Sequence, residues 1–235
     1  MTYNDPSSSS TVTPKSKSFV ERLIGVFTSP SATMQDIAAR PSWLIPLILV
    51  CVSALAFSLY TQDLIIETQR TETLKRNPNM TEEQIAGMEK VMKITTPIFA
   101  VLGTGVFYLA IGGLLLFTGN ILLGGQTKFK TLFSTVCWSG VITLVSSLIN
   151  APVMKARGVM ESATSLAGLL PSGDSKSVLH TLLSQIDLLN IWWVAVAGFG
   201  FAAAYKFSTK KSMITVFVWW AIFVAIGVAV KTMTS

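Results

Sequence analysis

Of 235 residues, 51% are hydrophobic and 13% charged, against roughly 25% charged in a soluble domain, and mean hydropathy is +0.57. The apolar residues are gathered into runs long enough to cross a bilayer, which excludes an ordinary soluble enzyme. The net charge of +6 comes without a basic stripe interleaved with base-stacking aromatics, so no nucleic-acid partner is expected.

Residues 1–18, MTYNDPSSSSTVTPKSKS, are polar and rich in serine and threonine and read as a disordered cytoplasmic tail. Over 19–41 two short amphipathic helices are expected at the membrane interface. Phe19, Leu23, Val26 and Phe27 recur at helical spacing beside Lys17 and Arg22, the pattern of a helix lying on anionic headgroups. Ser29-Pro30 opens the second helix. Asp36 and Arg40 are i,i+4 partners on it, and Pro41 ends it.

The membrane domain, 42–231, contains five gaps without charged residues, which give spans at about 42–60, 97–123, 131–150, 188–205 and 212–230. A crossing helix needs roughly 17 to 25 residues. The second span is longer, about 40 Å as a straight helix. It is expected to tilt or project, or to break at Gly112-Gly113, with close helix packing the favoured reading of that pair. Cys51 and Cys137 fall inside apolar runs and read as small buried hydrophobes. His180 has no companions at metal-ligand spacing.

Two extracytoplasmic loops, 61–95 and 152–187, are expected to be helical. In the first, Thr81 and Gln84 fit a capping box, ahead of an apolar face of Ile85, Met88 and Met92. In the second, Pro171-Ser172-Gly173-Asp174 is a turn, followed by an apolar stripe of Val178, Leu179, Leu182, Leu183 and Ile186. That stripe is expected to pack on the other loop or to rest at the membrane surface.

Orientation follows from charge density. Lys and Arg divide evenly between the two sides, but the tight turns 124–130 and 206–211 hold Lys128, Lys130, Lys206, Lys210 and Lys211 and no acid. The positive-inside rule then places the N-terminus in the cytoplasm and the C-terminus outside.

No Asp, Glu, Lys, Arg or His lies inside the five apolar cores. Intramembrane ionisable groups are the usual mark of proton relays and ion paths, and no GxSxG, HExxH or P-loop is present. No catalytic, metal or cofactor residue is expected, and the chain does not read as an enzyme. Thr131, Thr135, Ser139, Thr143 and Ser147 instead repeat every four residues along the third span. They form a narrow hydroxylated ridge that is either helix–helix glue, the favoured reading, or a polar path. Gly198 and Ala202 repeat the small-residue theme on the fourth span, and Gly105 and Gly113 on the second. Asp187 and Asn190, at the mouth of the fourth span, are a polar pair that could make a contact or cap the helix.

The stretch Arg22-Leu23-Ile24-Gly25-Val26-Phe27 through Ser29-Pro30, then Arg40-Pro41-Ser42-Trp43 to Pro46-Leu47, resembles the entry of bacterial members of the Ypt-interacting-protein (Yip) family. Gly124-Gly125 with Lys128-Phe129-Lys130, and Asp187-Leu188-Leu189-Asn190-Ile191-Trp192, are similar to that family's central turn and to its approach to the last two spans. The resemblance covers roughly 19–230 and implies five helices with a cytoplasmic N-terminus. Eukaryotic relatives bind Rab-type GTPases and shape or sort membranes. The present chain has neither a long acidic-aromatic N-terminal region nor a Leu-Gly-Pro signature, so GTPase binding is not carried over.

The expectation is an all-α, polytopic integral membrane protein with five transmembrane helices, in a bacterial cytoplasmic (inner) membrane. Its leading function is that of a scaffold or accessory subunit binding lipid, other membrane proteins or itself. The competing function is a small transporter or channel with its path along the third span.

Overall fold

The computed structural model describes residues 16–169 and 178–234. The tail up to residue 15 and the expected turn at Pro171–Asp174 lie outside the described residues. Helices α1 (Phe19–Thr28) and α2 (Pro30–Ala39) form an N-terminal hairpin. The first starts with a capping box: Ser18 Oγ accepts from the Glu21 N–H, and the Glu21 carboxylate accepts from the Ser18 N–H. Such a box satisfies two otherwise orphaned backbone donors.

Helix α3 (Leu44–Tyr60) has 17 residues, about 26 Å. It meets α4 (Gln62–Arg76) at a 64° bend where Thr61 Oγ1 donates back to the Phe57 carbonyl at 2.7 Å. The charged sequence of α4 turns the chain away from the apolar layer. Helix α5 (Glu82–Phe117) is 36 residues long, about 54 Å, far beyond a hydrocarbon core of about 30 Å. Its first turns carry the Thr81–Gln84 capping box and lie against α4, where Arg70 reaches Glu82 and Glu89 at 3.6 Å each. The same helix then continues as the second span, straight through Gly112-Gly113. Gly112 provides close approach, since a Cβ there would stand 3.0 Å from the Phe133 ring, whereas Gly105 and Gly113 face open space. The irregularity falls later, in a π-helical turn at Thr118–Leu122.

The third span is two stacked helices, α6 (Phe129–Ser139) and α7 (Ile142–Arg157). The joint at Gly140-Val141 is held by tight i→i+3 bonds, including Thr143 N–H to Gly140 O at 2.9 Å. Gly140 sits beneath the Tyr108 ring, which a Cβ would overlap, so the chain tightens there to let α5 approach. Helix α8 (Val178–Gln185) lies against the C-terminal helix α10 (Thr209–Thr234), with Leu179 and Leu182 exposed. Helix α9 (Leu188–Tyr205) packs on α6 and α10. Four segments are long and apolar enough to cross a membrane, 82–122, 129–157, 188–205 and 209–230, and the bent α3–α4 pair makes a fifth. The molecule is an all-α polytopic membrane protein.

Two cores hold it together. One joins α3, α5, α6, α9 and α10 around Leu132, Phe133, Val136, Val194 and Phe201. The other seats the N-terminal hairpin: Val26, Met34 and Ile37 pack against Trp138, Val141, Ile142 and Val196, residues near the centres of the third span and of α9. Lys17 and Arg22 do not face outward, as expected for a headgroup-binding surface. Lys17 Nζ donates to Thr33 Oγ1 at 2.8 Å and Arg22 is buried against Asp36 at 2.8 Å. The exposed residues of α1 are the apolar Phe19, Val20 and Ile24 together with Glu21 and Thr28. A guanidinium reaching an internal carboxylate outranks headgroup contact, which sequence periodicity alone does not register. Asp36 also meets Arg40, at 3.5 Å.

Candidate functional site

In the half of the molecule away from the N-terminal hairpin, α3, α5, α7 and α9 line a crevice of about 950 Å³. Its floor is Val50, Tyr108, Ile142 and Trp193, closed by the approach of Phe107 to Trp193 at a ring separation of 6.0 Å. The α5 wall is built from Ala100, Gly103 and Thr104, small residues that set the helix surface back, and from Phe99, which is 68% exposed and so carries the crevice onto the outer face of the bundle. Nearer the mouth the lining turns polar, with Ser58, Thr95, Thr96, Ser146, Asn150 and Asn190. Two buried polar atoms of lining residues, Ser58 Oγ and Trp193 Nε1, have no hydrogen-bond partner.

The mouth is organised around Asp187. Its Oδ1 accepts from the backbone N–H groups of Leu189 (2.8 Å) and Asn190 (3.0 Å), capping α9. Its Oδ2 accepts short bonds from the Ser162 and Thr164 hydroxyls. Asn150, buried on α7, ties the same segment down: its Oδ1 accepts from the Ala163 N–H at 2.9 Å, and its Nδ2 donates to Ser146 Oγ at 3.1 Å. Burial pushes the Asp187 carboxyl up, but the four donors outweigh it and hold the group below its ordinary value of 3.8. A carboxylate accepting several hydrogen bonds favours its charged form.

Because the folded-state value is depressed, this contribution to stability is fully present above the ordinary carboxylate value and is lost as the pH falls through the folded one. Thermal unfolding of detergent-solubilised protein between pH 6 and pH 3 checks this. The wild-type midpoint should fall steeply at the acid end. Asp187→Asn should start lower at pH 6, by about 1–3 kcal/mol for the acceptor capacity removed, and should respond less to acid.

The hydroxyl ridge is divided by the Gly140 joint. Thr143 and Ser147 line the crevice. Thr135 and Ser139 are buried below it and donate to carbonyls of their own helix, Leu132 and Val136, at 2.8 and 2.7 Å. Thr131 is half-buried at the start of α6. Thr135 faces Gly200, whose Cβ would stand 2.7 Å from the Thr135 Cβ; Gly198 faces Met213 of α10, and Ala202 is half-buried. Asp187 and Asn190 both line the crevice, but the Asp187 oxygens are occupied by internal donors. Asn150, Ser162 and Thr164, which complete that network, carry no periodic signal; only the fold brings residues 150, 162–164 and 187 together. Among the described residues no group of three or more His, Cys, Asp or Glu could hold a metal ion.

Comparison with known proteins extends over nearly the whole chain. The Yip1 domain model matches residues 24–230. The membrane protein YknW of Bacillus subtilis (strain 168) is 27% identical over 206 residues, covering 86% of each chain. No solved structure matches.

Proposed function

The chain belongs to the Yip1 domain family, and from that premise we propose a non-enzymatic integral membrane scaffold or accessory subunit that binds other membrane proteins or lipids. The observation that carries this reading is the saturation of Asp187, the carboxylate of the crevice lining. With both oxygens engaged by internal donors, it is a structural clamp and not an acid, base or ion ligand. The apolar cores of the spans contain no Asp, Glu, Lys, Arg or His to take over such a role. The bacterial origin of the similar YknW supports a bacterial cytoplasmic membrane. The basic turns Lys128–Lys130 and Lys206–Lys211 support a cytoplasmic N-terminus and an extracytoplasmic C-terminus.

Gentle detergent extraction of tagged full-length protein from its native membrane, followed by mass spectrometry, tests the reading. A stoichiometric membrane-protein or lipid companion is expected; a homo-oligomer without one would overturn it. The competing transporter reading needs a path continuous along the third span, yet the crevice lining ends at Tyr108, Ile142 and Thr143. Replacing Thr135, Ser139 and Thr143 by alanine should therefore leave the protein folded and its liposomes no different in solute flux. A loss of flux would restore the transporter.

A further inference from the structure

We infer that the crevice between α5 and α9 is a binding site for one glycerophospholipid, drawn from the leaflet opposite the N-terminal hairpin. Its acyl chain would lie against Phe99, Phe107 and Trp193, and an ester oxygen would accept a hydrogen bond from Ser58. The inference deepens the scaffold reading and rests on its lipid-binding branch.

Four observations point to this ligand. The volume, about 950 Å³, is at the upper end of the roughly 300–1,000 Å³ of small-ligand sites. The lining combines aromatic side chains at the floor, Tyr108 and Trp193, with hydroxyl and amide groups at the mouth, Ser58, Thr95, Asn150 and Asn190, and so offers surface to both the chain and the ester region of a lipid. The exposed Phe99 makes one wall continuous with the lipid-facing side of α5, so a lipid enters sideways without crossing water. Finally, Ser58 Oγ and Trp193 Nε1 are buried without partners. An indole N–H is a donor only and a serine hydroxyl can donate or accept, so a ligand that supplies acceptors suits both. Ester and phosphate oxygens do so. An ammonium group does not, and Asp187, already holding four donors, offers it no free acceptor.

Gly103 makes the test selective. A Cβ there meets nothing within 4 Å, and the same holds at Gly105, which is on α5 but outside the lining. Gly103→Phe thus fills the crevice with little disturbance to packing, and Gly105→Phe is its matched control. Full-length protein would be reconstituted in vesicles of phosphatidylethanolamine and phosphatidylglycerol, extracted in mild detergent and weighed by native mass spectrometry, with thermal midpoints recorded in parallel. Wild type and Gly105→Phe should each retain one phospholipid, and Gly103→Phe should lose it at least about tenfold. Ser58→Ala, which deletes an orphaned hydroxyl and leaves the fold intact, should lower retention about fivefold, the range of one hydrogen bond. No retained phospholipid on wild type, or equal retention by wild type, Gly103→Phe and Ser58→Ala, would overturn the site. A membrane-protein companion that still co-purifies with Gly103→Phe would leave the scaffold reading standing while the lipid site fell.

Discussion

Truncation of Arg22 to alanine is expected to destabilise the fold by about 3 kcal/mol, the low end of the cost of breaking a buried ion pair, since Arg40 at 3.5 Å still faces Asp36. The guanidinium stitches three segments. Its Nε donates to Asp36 Oδ2 at 2.8 Å, and its Nη1 donates to Ser42 Oγ at 2.7 Å and to the Arg40 carbonyl at 3.2 Å. It also lies 6.0 Å from the Trp138 ring centre, and Trp138 Nε1 donates in turn to the Ser42 carbonyl at 2.8 Å. One side chain therefore joins the hairpin to the start of α3 and to the middle of the third span. Unfolding in detergent should show Arg22→Ala lowered by roughly 10 °C. Arg22→Lys should recover little, because an ammonium cannot reproduce the planar fork. The double variant Arg22→Met, Asp36→Leu should recover much of the loss, since replacing both partners by apolar groups of similar size removes the desolvation cost along with the attraction. Full stability of Arg22→Ala would mean that the hairpin is held by apolar packing alone.

Enlarging Gly200 to leucine is expected to cost at least about 1–3 kcal/mol, the range for overpacking. A Cβ at this position would already stand 2.7 Å from Thr135 Cβ and 3.4 Å from Met34 Sδ. Three helices, α2, α6 and α9, converge on that one glycine, so none can move without disturbing the other two. Thr135→Ala in the same chain should restore part of the loss, and a double-mutant cycle would read the coupling directly. Gly105→Leu supplies the contrast: with open space around it, the change should gain up to about 1 kcal/mol of helix propensity. Equal midpoints for Gly200→Leu and wild type would show that the small-residue contact carries no packing constraint.

These two sites show what could be read from the residues and what could not. The apolar runs, the Thr81–Gln84 cap and the Asp36–Arg40 pair are local patterns, and each follows from spacing alone. The ridge at Thr131, Thr135, Ser139, Thr143 and Ser147 is also a spacing signal, but its continuity assumes an unbroken helix. The break at Gly140 depends on Tyr108, 32 positions earlier, and no window over the third span contains that information. Arg22 reads as a headgroup contact until Asp36 is folded beneath it. The crevice is harder still. It exists because Ala100, Gly103 and Thr104 set one surface back from two other helices, and its unpartnered donors become visible only when every other hydrogen bond has been assigned.

The seating of the N-terminal hairpin has a consequence in time. Met34 and Ile37 dock on Trp138, Val141, Ile142 and Val196, so the first helices made must wait for the ninth. At about 5–20 residues per second of synthesis, roughly 10–30 s separate the appearance of α2 from the completion of α9. Throughout that interval Arg22 and Asp36 have only each other, their near neighbours Arg40 and Ser42, and the membrane surface. Seating of the hairpin is then a late step of assembly, and a nascent chain arrested before residue 188 should leave α1 and α2 open to protease.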